Sequence, residues 1–68
     1  MILNWYYIRY YRQMQNYRAL VVAYCKEDAL ELLREVAALT DIEHTNATCT
    51  QVDQASRVDN PRVVSIVQ

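Results

Sequence analysis

Residues 26–39, KEDALELLREVAAL, repeat their apolar side chains with a helical period, and no other stretch does so as clearly. At 100° per residue, Leu39, Leu32, Val36, Ala29, Leu33, Ala37 and Leu30 share one arc of about 180°. Arg34, Glu27, Ala38, Glu31, Glu35 and Asp28 take the opposite side. Glu27 and Asp28 stand in the first turn, where the helix macrodipole favours negative charge. Glu27–Glu31 and Glu31–Glu35 are like-charge pairs one turn apart, which Arg34 offsets only in part through Glu31. A single amphipathic helix seals one face of a sheet, so the rest of the chain has to be organised around that limit.

The flanking sequence alternates instead. Over residues 2–12, Leu3, Trp5, Tyr7, Arg9 and Tyr11 share one strand face, and Ile2, Asn4, Tyr6, Ile8, Tyr10 and Arg12 share the other. The aromatic content suits a strand whose two faces are both partly apolar. After the polar break Gln13-Met14-Gln15-Asn16, the alternation resumes over residues 17–25. Tyr17, Ala19, Val21, Ala23 and Cys25 then lie on one side, with Arg18, Leu20, Val22 and Tyr24 on the other. The short connection predicts an antiparallel hairpin, and its glycine-free tip predicts a loop of four residues or more. Either hairpin face can lie under the helix on this pattern. Thr40-Asp41 is expected to end the helix.

Thr-rich residues 46–52 suit a third strand. Polar residues 53–61, ending in the turn signal Asp59-Asn60-Pro61, lead to a fourth strand over 62–67. In that strand Val63, Ser65 and Val67 are expected on one face and Val64 and Ile66 on the other. The order is β-β-α-β-β. It predicts an α+β, two-layer fold, one helix on a four-stranded antiparallel sheet, with residues 1–68 forming a single domain. The second sheet face is left without a helix.

Glycine is absent and proline occurs once, so the turns must use Asn, Asp, Gln and Ser. A hydrophobic fraction of 53% argues against disorder. A domain this short buries only about 60% of the surface its unfolded chain exposes, so small folds of this kind often lean on a metal, a disulfide or a partner. Cys25, Cys49 and His44 match no zinc-module spacing, so no metal site is read from them. Reduced, half-buried thiols are expected, with a Cys25–Cys49 bridge left open. There is no glycine-rich phosphate loop, nucleophile elbow or HExxH pattern. His44, near Glu43 and Asp41 in an expected loop, reads as a surface residue. Cys25 reads as a small strand-end residue rather than an activated thiol. No enzyme activity and no cofactor are expected. The sequence opens without a basic-then-apolar leader, and no apolar run approaches about 18 residues, so a cytoplasmic protein without a membrane span is expected. The glycosylation pattern Asn46-Ala47-Thr48 reads as a chance match.

Every aromatic residue lies between Trp5 and Tyr24. Residues 1–25 carry Arg9, Arg12 and Arg18 and no acid, a charge of +3; residues 26–68 carry four basic and eight acidic residues, a charge of −4. Tyr, Trp and Arg are the residue types that dominate interface energetics. Half of the opening stretch is therefore expected in the core, and the other half at an interface. The candidate binding residues are Trp5, Tyr6, Tyr7, Arg9, Tyr10, Tyr11, Arg12 and Arg18. On the helix they are Glu27, Glu31 and Glu35, with Asp28 beside them. The expected partner is another protein or a second copy, as a homodimer. Base stacking on the rings with phosphates on the arginines is the competing reading. A pI near 5.6 and the missing basic stripe weigh against nucleic acid.

Three stretches carry a resemblance: Trp5-Tyr6-Tyr7-Ile8-Arg9-Tyr10-Tyr11, the strand Tyr17-Arg18-Ala19-Leu20-Val21-Val22-Ala23, and the helix entry Glu27-Asp28-Ala29-Leu30-Glu31-Leu32-Leu33. Over residues 5–37 this layout resembles that of very small proteins of phages, prophages and other bacterial mobile elements. They include anti-CRISPR inhibitors and nucleic-acid accessory proteins. The resemblance is one of architecture and transfers no site residues. It implies a non-enzymatic protein that acts by stoichiometric binding, for example as an inhibitor of a host nucleic-acid-targeting complex. In that case Glu27, Asp28, Glu31 and Glu35 would imitate phosphates. A structural subunit of a larger assembly is the third class.

Overall fold

The computed structural model describes residues 2–55 and 60–68. The elements are β1 (Asn4–Arg12), β2 (Gln15–Ala23), α1 (Lys26–Ala37), α2 (Asp41–Asn46), β3 (Thr48–Gln54) and β4 (Arg62–Val67). The sheet order is β3-β1-β2-β4, and every neighbouring pair is antiparallel. The α+β architecture read from the sequence is the one observed. The hairpin forms the middle of the sheet. β2 and β3 run parallel on either side of β1, so the chain between them must cross a sheet face, and α1 and α2 make that crossing.

The core lies between α1 and one face of the hairpin. Tyr6, Ile8 and Tyr10 of β1 and Ala19, Val21 and Ala23 of β2 pack with Ala29, Leu33 and Leu39. In register, Ile8 faces Ala19 and Tyr6 faces Val21, so a large side chain stands beside a smaller one and the helix can approach closely. Tyr10 and Tyr17 are also register partners, and their rings stack at 5.2 Å with planes 11° apart. Such a pair is worth about 0.5–1.5 kcal/mol beyond its buried area. The buried stripe of α1 is narrower than the apolar arc of its sequence. It is centred on Ala29 and Leu33, while Val36 stays 62% exposed.

Four local expectations are corrected, beginning with the end of α1, which stops at Ala37 with Ala38 left-handed rather than at Thr40-Asp41. The hairpin tip is not a long loop: Arg12 pairs with Gln15 across a two-residue turn of Gln13 (φ 52°) and Met14 (φ 64°). Positive φ at both central positions is the type I′ geometry, whose twist matches that of the strands, and here it is met without glycine. Residues 41–46 are helical, so His44 sits on α2 rather than in a loop. Thr40 and Glu43 close a reciprocal capping box: the Glu43 N–H donates to Thr40 Oγ1 (3.2 Å) and the Thr40 N–H donates to Glu43 Oε1 (2.9 Å). Pairing shifts between Leu20 and Val21 leave Val64 without a partner in β2. The bulge places Val63 with Ile66 on the helix side and breaks the simple alternation expected for β4. Of the expected Asp59-Asn60-Pro61 turn, Asp59 lies outside the described residues.

Arg12 ties the layers together. Its guanidinium donates to the Ala37 carbonyl and to the Ala38 carbonyl (3.2 Å), and its Nε lies 3.3 Å from Glu43 Oε2. One side chain from β1 thus satisfies the last carbonyls of α1 and pairs with α2.

The double substitution Gln13→Asn with Met14→Gly relieves the left-handed cost at both turn positions. It should stabilise the protein by about 1 kcal/mol, raising the thermal midpoint by about 4–8 °C. Leu33→Ala opens a cavity at the centre of the helix stripe and should cost about 2–5 kcal/mol in a denaturant titration.

Candidate functional site

The hairpin face turned away from α1 is built by strand alternation. It presents Trp5, Tyr7, Arg9 and Tyr11 from β1 and Arg18, Leu20 and Val22 from β2. In register, Tyr7 faces Leu20, Leu20 faces Ser65, and Arg18 faces Val67. On the other side Tyr7 faces Thr50 and Arg9 faces Thr48.

One end of this face is closed by the chain itself. Leu3, Val22 and Ala55 form a second buried cluster with Trp5 packed against it, and the Ala55 N–H donates to the Leu3 carbonyl (2.9 Å). Val22 is fully buried there. The remainder is open. Leu20 is 37%, Tyr11 58% and Val67 49% exposed, values too high for core residues. Tyr7, Arg18, Leu20, Ser65 and Val67 line a shallow depression of about 210 Å³.

The sheet edges are guarded. β3 carries a bulge opposite Trp5/Tyr6, where Val52 is the extra residue, and β4 carries one at Val64. Bulged edges disfavour strand addition.

The structure separates the candidate residues. Trp5, Tyr7, Arg9, Tyr11 and Arg18 come together on the uncovered face. Tyr6 and Tyr10 do not: they are buried under the helices, on the opposite face by alternation. Arg12 is committed to the α1 C-terminus and Glu43. These three act in the fold. Leu20, Val67 and Ser65, absent from the sequence candidates, complete the face. Their signal was present for Leu20, which is in phase with Arg18 on β2. For Ser65 and Val67 it was the strand phase of β4, masked by the bulge.

Glu27, Asp28, Glu31 and Glu35 are all exposed on α1. Asp28, Glu31 and Glu35 line an open groove of about 330 Å³ with Tyr24, Leu32 and Pro61. Glu31 also stands 3.7 Å from His44 Nε2, while Arg34 of α1 pairs with Asp41 of α2 rather than with the acidic row. Cys25 and Cys49 are free thiols. Among the described residues, no group of three His, Cys, Asp or Glu could hold a metal, and no helix is long and apolar enough to cross a membrane.

No protein-family model, curated protein or solved structure matches the chain.

Two groups beneath the helices are set by burial. Desolvation pushes the Cys49 thiol up; Lys26 pulls against that rise and Glu27 adds to it. Desolvation also pushes the Tyr10 hydroxyl up; Arg12 opposes, while Tyr17 and Glu43 add. A raised folded pKa means that the native state keeps its proton longer than the unfolded chain. Stability is therefore intact below the ordinary thiol value of 9.0 and falls as pH climbs through the thiol and tyrosine ranges. Urea midpoints measured from neutral to alkaline pH should show this decline, and Cys49→Ala should remove its first part.

Proposed function

We propose that the chain is a non-enzymatic protein-binding protein that docks through the uncovered sheet face. The observation that carries this reading is the in-register block Tyr7–Leu20–Ser65 with Val67 and Arg18 beside it, open between two bulged edges. Tyr and Arg are enriched at interface hot spots, so Tyr7 and Arg18 would be the anchors, with Leu20, Ser65 and Val67 as the surround that excludes water. A face of this size also suits a small domain, whose own core has little stability to spare.

In its most concrete form the protein is a stoichiometric inhibitor of a host nucleic-acid-targeting complex. There the acidic row of α1 supplies a second contact. Glu27, Glu31 and Glu35 recur each turn, about 6 Å apart along the axis, and would enter a basic groove. A homodimer through the sheet face is the same docking with a second copy as the occupant.

The test is a tagged pull-down from source-cell lysate, with and without nuclease, using wild type and the pair Tyr7→Ala and Leu20→Asp. Both side chains are partly exposed, so the fold should survive by circular dichroism. Capture of a stoichiometric protein that survives nuclease and drops at least tenfold with either variant is expected. Unchanged capture by both variants would move the site elsewhere. Charge reversal at Glu27, Glu31 and Glu35 without loss of binding would remove the helix from the interface.

A further inference from the structure

Arg9 and Arg18 are register partners, directly opposite one another on the central pair of strands. Like charges in that position repel across Cβ atoms only about 5 Å apart and destabilise the sheet. Here the lateral partners are Thr48 on the β3 side of Arg9 and Val67 on the β4 side of Arg18. Among the described residues, the Arg9 guanidinium has no ion pair and no side-chain hydrogen bond. Arg18 is held by one, donated from Nη2 to the Gln68 carbonyl (3.2 Å). The two guanidiniums border an open depression of about 550 Å³. Tyr7, Tyr11, Asn16 and Thr48 line it from the same face, and Tyr10, Tyr17 and Asn46 from the helix side. The first four carry hydroxyl or amide groups within the same depression.

We propose that this end of the sheet face is an oxyanion site, and that its ligand is a phosphate group. Two guanidiniums carried at paired positions on one sheet face match a group that carries up to two negative charges and three or more acceptor oxygens. A single carboxylate, with one charge and two oxygens, leaves one arginine uncompensated. The bound phosphate removes the cross-strand repulsion, so ligand binding and sheet stability are linked. Nothing in this assignment depends on the protein-docking reading: the phosphate is tested with purified protein alone, and the pull-down tests the docking.

The experiment is thermal unfolding of the full chain in inorganic phosphate against sodium chloride at matched ionic strength, with a phosphorus NMR titration as the direct readout. Wild type should unfold at higher temperature in phosphate, with a shift that grows with phosphate concentration. Arg9→Gln should lose that phosphate-specific shift. It should also unfold at a higher temperature than wild type in low salt without phosphate, because the repulsion is gone. Lys26→Gln, which removes a charge on α1, should keep the full shift. A short single-stranded oligonucleotide is the second arm. Its backbone diesters each carry one charge and two free oxygens, as a carboxylate does, so it should compete only weakly in the NMR titration, which assigns the phosphate to a small phosphomonoester; displacement at equal phosphate concentration would overturn the dianion assignment. No phosphate-specific shift in wild type, a shift retained by Arg9→Gln, or an Arg9→Gln protein less stable than wild type in low salt would each overturn the site.

Discussion

One helix has to close a four-stranded sheet, and the closure rests on Ala29 and Leu33 meeting Ile8 and Val21. All four are fully buried. Every other choice follows from that contact. Ala19 and Ala23 keep β2 low beneath the helix. Tyr6 and Tyr10 extend the packed layer along β1. Arg12 then fastens the end of the hairpin to the carbonyls of Ala37 and Ala38. The same limit produces the uncovered face. With α1 and α2 both on one side, the described residues covering the opposite side are those near Leu3 and Ala55, and that cover stops at Val22 and Trp5.

The phase of the hairpin follows from charge. Turning the other face inward would place Arg9 opposite Arg18 beneath the helix. Burying two unpaired guanidiniums side by side costs several kcal/mol each, and nothing offsets it, because Trp5, Tyr7 and Leu20 would go in only as Tyr6, Ile8 and Val21 came out. The arginines therefore select the tyrosines that become core. Tyr6 and Tyr10 go in because their face carries Arg12 only at the strand end, where it reaches the helix carbonyls. Tyr7 and Tyr11 stay out because they share phase with Arg9.

Much of this was legible in the sequence, and the gaps have physical causes. The β4 range follows directly from the aliphatic run 62–67, and the start of α1 from the periodicity over 26–39, which overruns the end of the helix because Ala38 turns left-handed. The hairpin tip was misread because glycine absence is a poor guide where strand twist is strong enough to hold Gln13 and Met14 at positive φ. The second helix was missed because six residues carry too little period to see, although Thr40-Asp41-Ile42-Glu43 spells a capping box. Bulges at Val52 and Val64 shift the side-chain phase by one residue and leave no mark in an alternating pattern. Of the candidate site, the rings and arginines of the first strand could be found from sequence. Leu20 could have been joined to them through Arg18, whereas Ser65 and Val67 needed the register.

The chain has no glycine, and its three left-handed residues are Gln13, Met14 and Ala38 among those described. Two form the hairpin tip and the third ends α1, and Arg12 lies between them, adjacent in sequence to Gln13 and bonded to the Ala38 carbonyl. Non-glycine residues in this region persist when surrounding contacts over-determine them. Here the contacts are the strand pairing of Arg12 with Gln15 on one side and the guanidinium clamp on the other. Strain and its restraint are thus concentrated at one end of the molecule. Arg9, Arg18 and Tyr11 sit on the same end, on the opposite face of the same two strands. A tip held this firmly presents those side chains on paired strands rather than on a loop, so the backbone adds little ordering entropy to the side-chain cost of binding there.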